Sequence, residues 1–412
     1  MATVKKREWV TAKGEKKSAW QVDFVDQHGG RQRKQFTTKK QADKFMAEVV
    51  TQIGNGTYRP DASKVTVKEV AEAWLESCET RQERGQRMEA ATIVGYRNDV
   101  RRFILAERGV GHVKLNLLTA KAVRDFRDRL LQDGNSVSKT RRVLKTLRLV
   151  VKHAIHDDLL ATNPVAGVEV LDDSRVDEVI HVPSKVEVTA AIEAASGRFR
   201  PYLTVAALCG LRASEQRALQ WGDIDFEERV IRVRRRADFR NVVGEPKSSA
   251  GRRDVPAGPM VLNTLKAWRG DRIVRADELV FPANTIPQPN QWSKGNKPEE
   301  GQEKADIRGG VQSHANILHR DFYPLLDKLE ALHKEDPAKH PKVRRFRWHD
   351  LRHFAVSLWI EQGFNVKEIM VWAGHADYAM TMQRYGHLFP KEDHQRGMAE
   401  IESRLFNTSK KK

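Results

Sequence analysis

Alternating hydrophobic and polar positions near the N-terminus predict a small sheet. Residues 20–24 follow the two-residue period of a strand, with apolar side chains at every second position. Gly29 and Gly30 supply a turn, and the basic segment Arg31–Phe36 returns as a further strand. A helical period follows. We therefore predict that residues 1–58 form a domain with a three-stranded sheet and one helix.

Apolar residues then recur at intervals of three and four positions from about residue 65 to residue 170. This period predicts four amphipathic helices packed on a common core. Arg and Lys are frequent on the polar faces of these helices. Asn163 and Pro164 end the block, because the residue before a proline avoids the helical conformation. Residues 65–170 are therefore predicted to form a second, helical domain with a basic surface.

A third domain is predicted over residues 180–390, with helices towards both ends. Residues 224–237 have strand character, and residues 244–256 have the pattern of a glycine-containing hairpin. The polar segment 283–312 has no periodicity and predicts a long surface loop, and residues 391–412 form a C-terminal tail. The predicted fold class is a multidomain, mainly α chain. It combines a small N-terminal β-sheet-plus-helix domain, a helical domain and a mixed α+β, mostly helical domain.

The charge of the chain indicates its partner. Among 412 residues, 73 Lys and Arg oppose 55 Asp and Glu, which gives a formal net charge of +18. Such an excess favours a polyanion, and nucleic acid is the expected one, although charge alone leaves a merely basic protein open. The sequence has no apolar run long enough to cross a bilayer, no secretion signal, and only two cysteines. We therefore expect a cytoplasmic protein without a membrane partner.

Five short polar motifs in the third domain contain the candidate chemistry. In chain order they contribute Arg212 with Glu215, Lys247, His349 with Arg352, His375 and Tyr385. Taken singly, each motif is more often structural, since a lone tyrosine near a helix end usually packs and Glu215 could simply pair with Arg212. Their ordered occurrence in one domain of a strongly basic chain favours a common site.

These residue types suit the cleavage of a phosphodiester bond without a metal ion. The transition state spreads negative charge over the non-bridging phosphate oxygens. Arg212 and Arg352 could bind those oxygens, because a guanidinium donates two parallel hydrogen bonds and keeps its charge. His349 and His375 could donate hydrogen bonds or handle protons near neutral pH.

The same chemistry needs a nucleophile and an acid. Tyr385 could attack the phosphorus, since cations beside a phenol favour its deprotonation. Lys247, at the tip of the predicted hairpin, could protonate the departing deoxyribose oxygen. The sequence has no carboxylate cluster with metal-ligand spacing, so no metal or other cofactor is expected.

The motif set resembles that of the tyrosine recombinase family, the phage integrases and their relatives. The stretches His349–His353 and Gly374–His387 are the most specific part of the resemblance. The resemblance implies that Tyr385, rather than the nearby Tyr378, attacks DNA and forms a 3′-phosphotyrosyl bond. The other motif residues would complete the site, with Glu215 in a supporting role.

The resemblance also implies the roles of the domains and the partners. Residues 65–170 would be the core-binding, SAM-like domain, and residues 1–58 the arm-binding domain of a phage-type integrase. The expected partners are double-stranded DNA, further copies of the chain in a homo-tetramer, a DNA-bending host factor and an excision directionality factor. The implied activity is the integration and excision of a phage or other mobile element, at the nucleoid of a bacterial cytoplasm.

Basic residues of the first two domains are candidate DNA contacts. They are Arg31, Arg33, Lys34 and Lys39 in the first domain and Arg97, Arg101, Lys139, Arg141, Arg142 and Lys145 in the second. A solvated polar face explains the first set equally well. Two other functions stay open, namely a type IB topoisomerase that relaxes DNA without exchanging partners, and a DNA-binding regulator without catalysis.

Overall fold

The structure is a computed structural model, which describes residues 2–11, 15–26, 29–86, 88–171, 182–283, 310–389 and 402–403. The chain divides into two compact units, residues 1–177 and 178–412. The predicted loop at 283–312 and the predicted tail at 391–412 lie almost entirely outside the described residues.

The first unit begins with an antiparallel sheet. Its strands β1 (Thr3–Val10), β2 (Lys16–Val25) and β3 (Arg31–Phe36) lie in chain order. Helix α1 (Lys39–Gly54) packs against one face of this sheet. The alternate apolar side chains of β2, from Trp20 to Phe24, contribute to the core between sheet and helix, as the two-residue period predicts.

The opposite face of the sheet carries exposed basic side chains around the buried Gln21. Arg31 and Arg33 lie on this outer face, because their partners on β2 alternate with the buried core residues. Lys5 of β1 lies there too. The Asp23 carboxylate, at the centre of the face, accepts a hydrogen bond from Arg33 Nε at 3.0 Å and lies 2.6 Å from Lys5 Nζ.

Two of the predicted DNA contacts lie on the other side of the sheet. Lys34 pairs with Val22, so its side chain is on the helix side of β3, and its ammonium lies 4.5 Å from the ring centroid of Phe45. Lys39 begins α1, and its ammonium lies 5.6 Å from the ring centroid of Trp20. The four basic residues that the sequence groups together therefore occupy two different faces.

The rest of the first unit is helical. Its described α-helices are α2 (Val67–Glu83), α3 (Ala90–Asp99), α4 (Ala120–Gln132) and α5 (Val137–His156), with a π-helical turn at Val100–Ile104 and 3₁₀ turns at Pro60–Ser63 and Leu115–Leu117. Thr66 and Glu69 form a reciprocal capping box that starts α2. The four helices bury their apolar faces in one core, in which Phe126 and Leu147 are almost fully buried.

A buried carboxylate joins α3 to α5. Asp99 is 1 % exposed and accepts hydrogen bonds from Arg142 at 2.7 and 3.1 Å and from the hydroxyl of Thr146 at 3.0 Å. Arg142 thus has a structural partner at a position where the sequence predicts a DNA contact. Its side chain stays 58 % exposed, so the two roles are compatible.

The second unit is mainly helical with short strands. Its described helices are α6 (Lys185–Ala194), α7 (Phe199–Cys209), α8 (Ala213–Arg217), α9 (Pro259–Arg269), α10 (His314–Asn316), α11 (Tyr323–Glu335), α12 (Asp350–Glu361), α13 (Val366–Ala373) and α14 (Tyr378–Tyr385). Its described strands are β4 (Ile224–Asp225), β5 (Val230–Val233), β6 (Arg236–Ala237), β7 (Val243–Gly244) and β8 (Arg253–Pro256).

The predicted strand at 224–237 and hairpin at 244–256 are wrong in detail. Three short strands replace the first, with a turn after β4 in which Arg229 has a φ of 56°. β8 pairs with β5 and β7 pairs with β6, so one hairpin does not span the second range. Lys247 consequently lies on the loop between β7 and a 3₁₀ turn at Ser249–Gly251.

Helix α7 lies at the centre of the core of the second unit. Its residues are buried almost throughout, and it contacts α9 and α12. Within the described residues, no helix is both long and apolar enough to cross a membrane. The mainly helical architecture with a small N-terminal sheet confirms the predicted fold class. The predicted boundary between residues 58 and 65 stays a prediction, since both sides lie in the first unit.

Replacing Arg142 with Ala is expected to lower the free energy of unfolding by about 2 kcal/mol, because the buried Asp99 carboxylate loses its charged partner. Urea denaturation of the purified chain, followed by circular dichroism, measures this change. Lys145→Ala is the matched control on the same helix, where an exposed side chain should contribute no more than about 0.5 kcal/mol. Equal effects of the two substitutions would contradict the structural role of Arg142.

Candidate active site

The first motif forms the turn between α7 and α8. Gly210 ends α7 with a φ of 57°, in the left-handed region that favours glycine. Arg212 is the N-cap of α8, where its backbone amide donates to Glu215 Oε2 at 2.9 Å and its Nη1 donates to Glu215 Oε1 at 2.8 Å. The buried Glu215 carboxylate therefore fixes both the backbone and the side chain of Arg212.

The third motif begins α12. His349 is the N-cap of this helix, and Arg352 lies buried in its first turn. Arg352 donates from Nη1 to the carbonyl of Gly210 at 2.8 Å, and from Nη2 to the carbonyl of Ala373. One guanidinium thus joins the α7–α8 turn to the end of α13.

The fourth motif forms the turn between α13 and α14. Gly374 ends α13 with a φ of 64°, and its carbonyl accepts a hydrogen bond from Arg212 Nη2 at 2.8 Å. A Cβ at this position would lie 3.0 Å from the Ala250 carbonyl and 3.2 Å from Arg212 Nη1, so the turn requires glycine. His375 Nδ1 is hydrogen-bonded to the hydroxyl of the buried Thr381 at 2.8 Å, which fixes the imidazole ring.

Tyr385 ends α14 and is 2 % exposed. Its ring packs in an apolar cluster between α12 and α13 and lies nearly parallel to His375, with 6.3 Å between the centroids. Its hydroxyl lies 2.5 Å from His353 Nδ1. His353 is not among the residues predicted for the site. Its spacing of four residues from His349 places both on one helix face, and this interval could have identified it.

Lys247 is exposed on the loop after β7. The far end of this loop is attached to the other motifs through its backbone. The Gly251 carbonyl accepts a hydrogen bond from Arg253 Nη1 at 3.1 Å, and the Ala250 carbonyl adjoins Gly374. A movement of this loop backbone would therefore change the position of Lys247 relative to the rest of the site.

Arg253 is a residue of the site that the sequence analysis missed. It lies buried on β8 and donates to both carboxylate oxygens of Glu215, at 3.0 and 2.8 Å. The alternation along β8 could have revealed it, since Arg253 and Val255 are buried whereas Asp254 is exposed. A charged side chain on a buried face indicates a paired charge.

Burial and charge act in opposite directions on Glu215. Burial alone would raise its pKa, but the hydrogen bonds and charges of Arg253 and Arg212 outweigh it and lower the pKa to about 2. Burial, followed by the charge of Arg212, lowers the pKa of Arg352 to about 9, which leaves this side chain cationic at neutral pH. Glu215 and Arg352 are therefore both charged at neutral pH.

The histidines and the tyrosine are kept uncharged at neutral pH. Burial, and then the charges of neighbouring arginines, lower the pKa of His375 to about 3. Burial and the adjacent His349 lower the pKa of His353 to about 4. Loss of surrounding water and nearby arginines also lower the pKa of His349. Burial raises the pKa of Tyr385 to about 12, although neighbouring arginines oppose it.

The candidate DNA contacts of the helical segment are partly exposed and partly bonded within the chain. Arg101 and Lys145 are exposed. Arg97 pairs with a glutamate of α2, and Arg141 donates to a backbone carbonyl at 2.9 and 3.1 Å. The Lys139 ammonium lies 4.8 Å from the centroid of an aromatic ring. Their contacts with DNA stay predictions. Among the residues that the structure describes, no group of three or more His, Cys, Asp or Glu is placed to hold a metal ion.

Comparisons with known proteins establish the class of this chain. A model of the phage integrase family matches residues 169–392, which is more than half of the chain. A tyrosine recombinase XerC-like protein of Caldanaerobacter subterraneus is 25 % identical over 387 residues, covering 89 % of this chain and 91 % of that protein. The ICEBs1 integrase of Bacillus subtilis is 26 % identical over 279 residues, covering 67 % of this chain and 68 % of that protein.

Solved structures share the fold. The Tn1549 transposon integrase in complex with a circular intermediate DNA has a TM-score of 0.60 at 19 % identity, covering 82 % of this chain and 99 % of that chain. A lambda integrase tetramer bound to a Holliday junction has a TM-score of 0.51 at 14 % identity, covering 94 % and 96 %. Because the family model matches more than half of its residues, the chain belongs to the phage integrase family. It is a tyrosine-type site-specific recombinase, which confirms the family that the motifs indicate.

Lowering the pH from about 7 to about 5 is expected to leave His353 and His375 unprotonated, because burial and neighbouring positive charge hold their pKa values near 4 and 3. Histidine ring signals in an NMR titration measure the midpoints. An unfolded histidine takes up a proton near pH 6.5 whereas the folded His375 does not. The fall in pH is therefore also expected to lower the free energy of unfolding. His375→Gln should reduce this loss. Midpoints near 6.5 for both rings would contradict the expectation.

Proposed function

We propose that this recombinase cuts double-stranded DNA with the Tyr385 hydroxyl and reseals it after strand exchange, through a 3′-phosphotyrosyl intermediate. The observation that carries the proposal is that two arginines donate hydrogen bonds to backbone carbonyls at the end of α13, beside this tyrosine. Arg212 donates to the carbonyl of Gly374, and Arg352 donates to that of Ala373. Tyr385 and Ala373 belong to the same buried apolar cluster.

In the proposed cleavage, the phenol oxygen forms a bond to phosphorus while the bond from phosphorus to the 5′ oxygen breaks. Arg212 and Arg352 bind the non-bridging oxygens and oppose the negative charge that grows there. Lys247 gives a proton to the departing 5′ oxygen, so that a 5′-hydroxyl is released. Rejoining is the reverse reaction, in which a 5′-hydroxyl attacks the phosphotyrosine and the Tyr385 phenol leaves with a proton.

Tyr385 must leave its hydrogen bond to His353 before it attacks. In the arrangement described, its pKa of about 12 keeps the phenol protonated and weakly nucleophilic. His349 and His375 are neutral at the pH of the reaction, so either ring can accept the phenol proton or donate a hydrogen bond to the phosphate. The charges of Arg352 and neighbouring cations favour the phenolate once it lies beside them.

The relatives support a biological setting. Because they include the integrases of ICEBs1 and of the Tn1549 transposon, we propose that the chain integrates and excises a phage or other mobile element in a bacterial cytoplasm. The lambda integrase tetramer on a Holliday junction supports a homo-tetramer on DNA. Residues 65–170 would bind the core site and residues 1–58 the arm sites, with a DNA-bending host factor and an excision directionality factor as further partners.

Trapping on a nicked suicide substrate tests the nucleophile. The wild-type chain is expected to form a covalent protein–DNA adduct that survives a denaturing gel, and Tyr385→Phe is expected to form none, because only the hydroxyl is removed. Tyr378→Phe is the matched control, since this tyrosine begins the same helix and is exposed. An adduct with Tyr385→Phe, or none with Tyr378→Phe, would assign the nucleophile elsewhere.

A plasmid with two recombination sites separates the proposed reaction from its closest alternative. Recombinant products support strand exchange. Relaxation of supercoils without recombinant products would instead indicate topoisomerase activity, and DNA binding without an adduct would indicate a non-catalytic regulator.

We expect the outer face of the N-terminal sheet to bind arm-site DNA, which is a different DNA segment from the core site that is cleaved. Substituting both Arg31 and Arg33 with Ala should impair recombination at full-length sites but spare cleavage at core sites. Each lost phosphate contact should also reduce the slope of log affinity against log salt by about 1. Gel shifts on arm-site DNA over a salt series measure this slope. Lys44→Ala is the control, because this exposed lysine of α1 is outside the candidate contacts, and an equal loss with it would contradict the assignment of the face.

A further inference from the structure

Arg253 carries a buried charge that the proposed reaction does not use. Its side chain is 2 % exposed, and it donates hydrogen bonds to three separate segments. These are the Glu215 carboxylate on α8, the Trp372 carbonyl at the end of α13 at 2.6 Å, and the Gly251 carbonyl of the Lys247 loop at 3.1 Å. A single guanidinium therefore joins three of the motif-bearing segments.

The Glu215 carboxylate has hydrogen bonds on every side. Oε1 accepts from Arg212 Nη1 at 2.8 Å and from Arg253 Nη1 at 3.0 Å. Oε2 accepts from the Arg212 backbone amide at 2.9 Å and from Arg253 Nη2 at 2.8 Å. A carboxylate has about four acceptor positions, so these four bonds occupy it fully. Arg253 supplies half of them, and Glu215 cannot rotate towards Arg212 without leaving Arg253 unpaired.

We infer that Arg253 is a positioning residue for recombination, which fixes Glu215 so that Arg212 is held ready for the phosphate and which ties the Lys247 loop to the α13–α14 turn. The inference rests on the proposed roles of Arg212 and Lys247. The close packing at Gly374 supports it independently. A Cβ there would lie 3.1 Å from Arg253 Nη1 and 3.2 Å from Arg212 Nη1, so both guanidiniums contact this turn.

A positioning role has a signature in the pH dependence of the reaction. The charged groups that face Glu215 are Arg212 from its own turn, Arg253 from β8 and Arg352 from α12, and the neutral His375 follows in the adjoining turn. Burial raises the pKa of Glu215, and Arg253 is the largest influence that opposes burial. Without the Arg253 charge the pKa of Glu215 rises. Glu215 then gains a proton as the pH falls, and its neutral carboxyl no longer forms an ion pair with Arg212. Acid also destabilises the folded chain through its buried histidines. Arg253→Lys, which keeps the charge, is therefore the reference against which this response is judged.

The test measures single-turnover cleavage of the nicked substrate by the full-length chain at saturating DNA, between about pH 5 and about pH 8. Arg253→Gln is expected to slow cleavage about 10- to 100-fold, the size of loss that follows removal of the hydrogen-bond partner of a metal ligand, with little change in DNA affinity. Its rate relative to wild type should fall further towards pH 5. Arg253→Lys keeps the charge but cannot span three acceptors, so it should be slow without that further fall.

Two controls separate positioning from a general structural effect. Arg232→Gln breaks an ion pair with Asp225 in the same sheet and should match the wild type. In a Glu215→Gln background, Arg253→Gln should cost much less than it does alone, because residues that act as a unit are not additive.

Additive losses, a wild-type rate in Arg253→Lys, or no difference in pH dependence for Arg253→Gln would overturn the inference. Thermal unfolding checks each variant, and if Arg253→Gln does not fold, the rate and pH profile of Arg253→Lys decide. If the wild type forms the adduct and the Arg253 variants cleave at the wild-type rate, the inference is overturned and the proposed function stands. The absence of any adduct from the wild type overturns the proposed function and the inference with it.

Discussion

The site depends on the ends of two helices. The last carbonyl groups of an α-helix have no partner within the helix and carry partial negative charge. At the end of α7 the carbonyl of Gly210 accepts a hydrogen bond from Arg352, and at the end of α13 the carbonyls of residues 372–374 accept from Arg253, Arg352 and Arg212. These arginines satisfy the backbone of both helix ends, and the same bonds determine where each guanidinium lies.

An excess of positive charge follows from this arrangement. Glu215 is the carboxylate bonded to two of the three arginines, and Arg384 adds a further cation whose charge reaches His375. The backbone carbonyls hold the guanidiniums without neutralising them. Burial first, and then this positive charge, lower the pKa values of the neighbouring imidazoles. The phosphodiester of the proposed reaction would supply the missing negative charge. The site is therefore most complementary to a group whose negative charge grows during the reaction, which is the condition for electrostatic catalysis.

The motif residues and the mainly helical fold could be predicted from the sequence, because they depend on residue type and local period. The face on which Lys34 lies could not, since strand register decides it and a shift of one residue reverses every side chain. Arg253 shares its buried face with Val255, but the misplaced hairpin concealed this alternation. The hydrogen bond between Tyr385 and His353 depends on how α12, α13 and α14 pack, which local patterns do not encode.

Tyr385 is buried in the structure, so its hydroxyl is present in the site but is not accessible to a substrate. If Tyr385 is the nucleophile that we propose, its oxygen reaches a phosphate only in a rearranged population, in which the ring has left the apolar cluster and the bond to His353 is broken. Each 1.4 kcal/mol that this opening costs reduces that population about tenfold. Under the proposed mechanism, a chain in solution would therefore keep this oxygen out of reach of other phosphates, and selection among DNA sites would extend from affinity to the cutting step.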